Sequence, residues 1–522
     1  MKRREFLSSA IGAAAVLAAS EFRPSAEGQT KGEKAQARGE KTTKISAKFI
    51  VGYLNGTHVI YKNACLVYQG DTIRYIGGNY EGKVDRHIDA KNAIVSPGFI
   101  DLDALGDIDH WLVSTEGRTT RLGWHKDYFP NRREFMTPEE EAFKTLYAYA
   151  QLISNGITTI MPITSALYKR SADTYEETVA AAENAGRLGL RAYLGQAYIS
   201  AQYTVDAAGK SDITPMHEDG RKGFESAVRF AKKYHGAYNG LIRAALKPER
   251  IELQTEELLK DSKAMARELG CPIRLHAAQG GDYQVIQRLY GKSPIAYLNS
   301  IGFLDENTSI PHVIVASGNG SVEDKSDDDQ IILRDTKTTV IHCPLVFGRG
   351  GGALVSFGRY RRLGINMAMG TDTFPPDMIY NLQLGTMMAR RVDRGGGMNS
   401  NTEFFNAATL GGARALGRDD IGRLAVGAKA DIIIIDLNRF EAGVHDDPIA
   451  TIFLQCTGRD VKTVVIDGRI VMENRVIPNF DYEGVVVKAQ AYYEKMRNSW
   501  LERAMTSRTS DEVFTYSYPL VK

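Results

Sequence analysis

Two textures of apolar residues divide this chain. Over residues 48–95 the pattern is dense in Val, Ile and Tyr, and Asn55-Gly56, Gly70-Asp71 and Gly77-Gly78 interrupt it, which predicts short antiparallel strands joined by tight turns. Residues 422–474 repeat that texture, with GRLAVGAKADIIIIDL and VKTVVIDGRIVMEN reading as strand–turn–strand pieces with glycine at the corners. The long middle is different. Helical stretches such as 137–155 and 255–270 alternate there with short apolar runs: GITTIMPI, LRAYLGQAY, LIRAALKP, CPIRLHAA, TTVIHCPL and INMAMGTD. Helix-then-strand repeats with fully apolar strands predict a parallel sheet covered on both faces.

The ends bound the folded part. MKRREFLSSAIGAAAVLAAS places Arg3-Arg4 before an apolar run from Ile11 to Ala19, the layout of a twin-arginine export signal over residues 1–20. That run is far short of the roughly 20 residues that span a bilayer, so export to the periplasm is expected and stable membrane insertion is not. Residues 21–44 are polar and charged and read as a linker. The remaining length, about 480 residues, exceeds one average domain. An α/β fold accounts for it: a (β/α)8 TIM-like barrel over 97–421, and a small β-sandwich made from 45–96 and 422–485. A C-terminal helix and tail follow over 486–522.

Charge and cysteine usage narrow the function. The 65 basic and 63 acidic residues leave a formal net charge of +2, too little field to hold nucleic acid or an anionic membrane, so a small-molecule partner is expected. Cys65, Cys271, Cys343 and Cys456 lie far apart without a C-x-x-C pair, which argues for free core thiols. The glycine run GRGGGALVSFG at 348–358 lacks the G-K-[ST] ending of a phosphate loop. DKSDDDQ at 324–330 lacks the glycine and terminal Glu of a calcium loop and reads as solvated surface.

Catalytic groups of such barrels sit at the C-terminal ends of the strands, where the polar residues of these runs fall. In chain order they are PGFID (97–101), GITT (156–159), LHAA around His276, Pro311-His312, HCP (342–344) and GTD (370–372). Together with the closing GRLAVGAKADIIIIDL and DPIATIFLQCTGRDVKTVVIDGRIV, this series resembles the metal-dependent amidohydrolase superfamily, and within it the cytosine-deaminase-like and triazine-hydrolase (chlorohydrolase, aminohydrolase) branch. The resemblance implies hydrolysis of a non-peptide C–N bond in a small cyclic or heteroaromatic compound, by deamination or by opening a cyclic amide or amidine. It also implies a homo-oligomer, and one divalent metal held by an H-x-H pair after strand one, a His after strand five, a His after strand six and an Asp after strand eight. The last three match His276, His312 and Asp372.

Two positions depart from that pattern. Asp103 and Leu105 stand where the H-x-H pair belongs, and Gln279 stands where a proton-transferring Glu is usual. An amide orients a substrate but does not exchange a proton near neutral pH, so Gln279 is expected to bind substrate. The expected metal set is His276, His312, Asp372 and Asp103, because zinc accepts carboxylate oxygen at roughly 2.0–2.2 Å and needs three protein ligands plus water. Zinc is the first expectation, with iron or manganese suited to the same donors, and a metal-free site is the alternative left open by the missing pair. Asp372 is expected as catalytic base, His342 as substrate contact or proton shuttle, and Trp111 as a wall for a flat substrate, with Trp124 and Tyr198 as further candidates. Asp107, Asp109 and His110 either replace a lost ligand or form a solvated loop. A metal-independent hydrolase or lyase, and a non-catalytic binding protein on the same barrel, are the alternative functions.

Overall fold

The computed structural model describes residues 41–107, 136–163, 173–205, 211–349, 357–395, 397–499, 516 and 518–521. The export signal and most of the polar linker expected from the sequence lie outside them. Helix ends follow local chemistry. Helix Pro138–Ser154 starts at Thr137, whose hydroxyl accepts from Glu140 N while the Glu140 carboxylate accepts from Thr137 N, a reciprocal capping box. Helix Glu256–Leu269 starts at Thr255 and stops at Gly270, whose φ of 59° favours glycine.

Four strands open the chain: β1 (Thr42–Leu54), β2 (Thr57–Gln69), β3 (Thr72–Gly77) and β4 (Arg86–Pro97). Then come β5 (Phe99–Leu105), β6 (Ile157–Ile163), β7 (Arg191–Leu194), the two-residue β8 (Ala197–Tyr198), and the hairpin β9 (Ala201–Val205) and β10 (Ser211–Pro215). Next are β11 (Ile242–Ala244), β12 (Lys247–Pro248), β13 (Ile273–Arg274), β14 (Thr308–Pro311), β15 (Thr339–His342) and β16 (Met367–Met369). Strands β17 (Ile432–Asp436), β18 (Val461–Ile466) and β19 (Arg469–Met472) close the series.

The middle strands form two four-stranded parallel sheets, β11-β7-β6-β5 and β13-β14-β15-β16. Their edges meet twice. A parallel bridge between Leu246 and Ile273 joins one pair, and Asp372 N donates to Asp103 O at 2.9 Å across the other. This is the strand succession expected of a TIM-like barrel, present here as two sheets with bridged edges and not as one unbroken ladder.

The ends of the chain were expected to build a sandwich; they form one seven-stranded mixed sheet, ordered β19-β18-β17-β4-β1-β2-β3. The reason lies in β4, which pairs parallel with β1 and antiparallel with β17, so both chain ends share one ladder. Side chains on a strand alternate between faces. Accordingly Ile433 and Ile435 join the main core while Ile432 and Ile434 join a second apolar cluster with Ile45, Leu66 and Val95, which explains why IIIID carries no polar alternation. All four cysteines are buried and free, as expected. The acidic run at 324–330 is only partly surface: Asp329 is buried and accepts from Ser317 N at 2.9 Å. Among the described residues no helix is long and apolar enough to cross a membrane.

One buried ion network ties the two architectures together. Arg191, at the start of β7, donates through Nε and Nη2 to both carboxylate oxygens of Asp431 at 3.0 Å, and through Nη2 to Asp467 at 3.0 Å. Removing one partner of such a pair strands the others' charge in a dry interior. Arg191→Met is therefore expected to lower unfolding stability by about 3–5 kcal/mol, read as a reduced midpoint in urea denaturation.

A second expectation concerns pH. His58, on β2, reaches Thr409 Oγ1 at 3.1 Å, and burial lowers its imidazole to about 4. An unfolded His takes up its proton near 6.5 and the native one does not until about pH 4, so this group makes stability rise with pH across that window, by up to about 1.4 kcal/mol per pH unit. His58→Gln should flatten that slope in urea denaturation series; an unchanged slope would remove His58 as its source.

Candidate active site

Strand β5, FIDLDAL, is buried along its whole length, so its two carboxylates need partners. Asp101 finds three: Thr371 N at 3.0 Å, Thr371 Oγ1 at 2.5 Å and Asp103 N at 3.1 Å. Burial still pushes its carboxyl up to about 7. Asp103 is aimed differently. The β5–β6 register shifts between Asp101 and Ala104, an irregularity of the kind that redirects a side chain at a barrel rim. Its Oδ2 stands 3.7 Å from His276 Nε2, 3.7 Å from His312 Nε2 and 3.6 Å from Cys343 Sγ. Its Oδ1 stands 3.2 Å from Arg274 Nη1.

The imidazoles are held from behind. His276 Nδ1 lies 3.1 Å from the carbonyl oxygen of Glu249, which places the proton on that nitrogen and leaves Nε2 a lone pair. The following turn is fixed by Asp282, whose carboxylate accepts from Ala278 N, Gln279 N and Gly280 N. His312 is fully buried at a φ of 69°, and neither ring nitrogen has a hydrogen-bond partner among the described residues. Its Nε2 lies 3.6 Å from Asp372 Oδ2. Asp372 itself has a φ of 45°. Two residues with side chains in left-handed backbone conformations, both facing one point, mark strain that the surrounding contacts must hold in place.

The electrostatics follow from burial. Burial lowers His312 to about 3, so the ring is neutral. Burial would raise Asp103, but the facing His276 imidazole and the Arg274 guanidinium outweigh it and hold the carboxylate below its usual range. Burial, then the neighbouring Asp103 and Asp101, push Asp372 well above the usual range. Two close carboxylates that differ in this way share one proton between them.

These donors fit a metal. One ligand atom each from Asp103, His312, Cys343 and Asp372 lies within 4.8 Å of every other. The N···O separations of 3.6–3.7 Å exceed hydrogen-bond reach. They are close to the roughly 3.3–3.6 Å edges of a tetrahedron built on bonds of 2.0–2.3 Å to nitrogen, oxygen and sulfur. The unpartnered Nε2 of the buried His312 ring, which faces Asp103 and Asp372, is an atom that a cation would satisfy.

Of the residues expected from the sequence, His312, Asp103 and Asp372 come together, and His276 faces Asp103 from outside that cluster. Gln279 follows on the same turn as His276, with its Oε1 buried and unpartnered among the described residues. Leu105 is buried in the main apolar core. His342 is placed elsewhere: its ring lies against Phe357 and Phe404, at centroid distances of 5.2 and 5.8 Å. Extended backbone is the cause, because consecutive residues point to opposite faces and Cys343, directly after β15, takes the inward one. Burial lowers His342 to about 3, consistent with a packed neutral ring and not a shuttle. Tyr198 is core, donating to Ser262 Oγ at 2.7 Å and packing edge-on to Phe224. Asp107 is buried, not a solvated loop residue. Asp109, His110, Trp111 and Trp124 lie outside the described residues.

The sequence reading missed Cys343 and Arg274. The signal for Arg274 was an arginine inside the apolar run CPIRLHAA, two positions before His276 and so on the same face. Its guanidinium donates to Leu102 O, Met161 O and Pro162 O as well as facing Asp103.

Comparison with known proteins gives the family of the chain. Residues 94–471 match the model of the Amidohydrolase family, and the chain belongs to that family. It is 28% identical over 415 residues to a 5-methylthioadenosine/S-adenosylhomocysteine deaminase of Acetivibrio thermocellus, covering 77% of this chain and 86% of that protein. A protein of the same name from Thermoanaerobacter pseudethanolicus is 26% identical, covering 83% and 94%. Among solved structures, an adenosine deaminase from Xanthomonas campestris with bound zinc superposes with a TM-score of 0.71 at 18% identity, covering 87% of this chain and 98% of that one. The zinc complex of an atrazine chlorohydrolase from Arthrobacter aurescens gives 0.68 at 20%, covering 86% and 99%.

Gly370 makes the convergence sterically feasible. A Cβ there would lie 2.6 Å from Asp103 Cβ and 2.8 Å from Cys343 Sγ. Gly370→Ala is expected to cost about 1–3 kcal/mol through overpacking and to separate the donors, read as a lowered melting temperature together with weaker binding of added zinc.

Proposed function

We propose that this chain is an exported, metal-dependent hydrolase that cleaves a non-peptide carbon–nitrogen bond of a small heteroaromatic compound, removing an exocyclic amine from a purine-type ring. The observation that carries the reading is the cluster of Asp103, His312, Cys343 and Asp372, whose ligand atoms all lie within 4.8 Å of one another, with His276 Nε2 facing Asp103 Oδ2 at 3.7 Å. The deaminase names of the relatives supply the substrate class to test first. The Arg3-Arg4 segment supports export, and replacing both with Lys should leave the protein in the cytoplasmic fraction.

His276, His312, Asp103 and Asp372 would hold the ion, zinc first among the candidates. When bound, a divalent cation supplies the Lewis acidity that makes a water deprotonable near neutral pH. As an ionised ligand, Asp372 accepts the proton of the attacking water and passes it to the departing amine. A C–O bond forms, the C–N bond breaks, and ammonia leaves with that proton. Gln279, unable to exchange a proton, receives a substrate N–H at its free Oε1.

One observation favours a second reading. Arg274 stands 3.2 Å from Asp103 and already offers that carboxylate a positive charge. On that basis the site would run as a metal-free acid–base pair of Asp103 and Asp372.

Elemental analysis of protein purified without chelator, paired with ammonia release from 5′-methylthioadenosine, adenosine and related aminopurines, separates the two. The first reading expects about one equivalent of zinc, iron or manganese, and a loss of about 10²–10⁴ in kcat for Asp372→Asn. Ammonia release from metal-free protein would transfer the assignment to the Arg274 reading. Neither metal nor turnover would overturn both.

A further inference from the structure

We propose that Cys343 supplies a thiolate ligand to the metal of this site, filling the coordination position that Leu105 cannot. The proposal rests on the metal reading above and adds a donor which the H-x-H pattern does not contain. Cys343 is fully buried at the end of β15, and strand alternation turns its sulfur inward while His342 turns out. Sγ stands 3.6 Å from Asp103 Oδ2, near the edge expected between a sulfur at about 2.3 Å and an oxygen at about 2.0 Å from one ion.

One observation points to a ligand at this place, and a second shows that the two donors pack closely. The first is His312, whose fully buried ring nitrogens have no partner among the described residues and whose Nε2 belongs to the same cluster of donor atoms. The second is Gly370, because any side chain there would occupy the space between Asp103 and the Cys343 sulfur. As a thiol, Cys343 has only a weak, long hydrogen bond to offer Asp103. On binding, the S–H bond breaks, a sulfur–metal bond forms, and the proton passes to buffer. A sulfur donor beside imidazole and carboxylate shifts the site toward zinc or cobalt and away from magnesium or manganese.

The test reads the bond, not turnover. Full-length apoprotein titrated with cobalt(II) is expected to bind one equivalent, with visible ligand-field bands and an intense near-ultraviolet thiolate-to-cobalt charge-transfer band. Cys343→Ser should bind cobalt about 10–100-fold more weakly and lose the charge-transfer band while keeping ligand-field absorption. Cys271→Ser, whose sulfur lies before β13 and outside the cluster, should keep both. Should Cys343→Ser fail to fold, zinc K-edge absorption of the unmodified protein is expected to show one sulfur at about 2.3 Å. Cobalt bound without a thiolate band, a band that survives in Cys343→Ser, or a zinc shell of nitrogen and oxygen alone would overturn the thiolate and leave the metal reading standing. No cobalt bound by the unmodified protein would overturn both.

Discussion

The seam between β5 and β16 is the constraint on which the rest depends. The backbone of Asp372 donates to Asp103 O, and Thr371 spends both its amide and its hydroxyl on the buried Asp101 carboxylate. Those three bonds bring the two edges of the parallel sheets together and set Asp372 beside the buried Asp103, where low dielectric strengthens their repulsion. The energetic tension is visible in the backbone, since Asp372 and His312 both hold left-handed conformations. Such positions persist only where neighbouring contacts over-determine them.

Around that seam the site handles charge by substitution. A carboxylate on β5 where an imidazole pair would otherwise sit brings one extra negative charge into a fully buried position, and Arg274 meets it from two residues before His276. Asp103 can then remain ionised while Asp372 keeps its proton, and His312 stays neutral with a nitrogen lone pair available. A cation entering such a site displaces protons and not other cations, so its affinity is tied to pH.

How much of this was legible before the fold was known depended on whether the signal was local. The apolar runs and their caps are local, and strands such as β6 and β15 and helix Glu256–Leu269 fall where the pattern put them. His276, His312 and Asp372 were legible through the ordered series of motifs that resembles the family, since each strand-end residue is by itself a weak signal. The inward-facing member of His342-Cys343 was not, because two adjacent residues differ in face by a register that nothing in HCP reveals. Tyr198 stands at a strand end too, yet a hydroxyl on Ser262, 64 positions away, makes it core. The expected sandwich became one sheet for a similar reason: β4 finds β1 on one edge and β17 on the other, a pairing between segments more than 300 residues apart.

The amino-acid sequence alone determined the alternating strands and helices, the terminal strands of the mixed sheet, the near-neutral charge that points to a small-molecule partner, and three of the polar residues now gathered at one point. The elements and the charge follow from periodicity, turn chemistry and composition, which act over a few residues at a time, and the three polar residues follow from the resemblance that the ordered motifs carry. Only the tertiary structure decided that Asp103 faces two imidazoles, that Arg274 offsets it, that Cys343 and not His342 looks inward, and that Gly370 leaves room for the meeting. Each of those is a distance between residues remote in the chain, fixed by strand register and the closure of two sheet edges, and no local pattern encodes it.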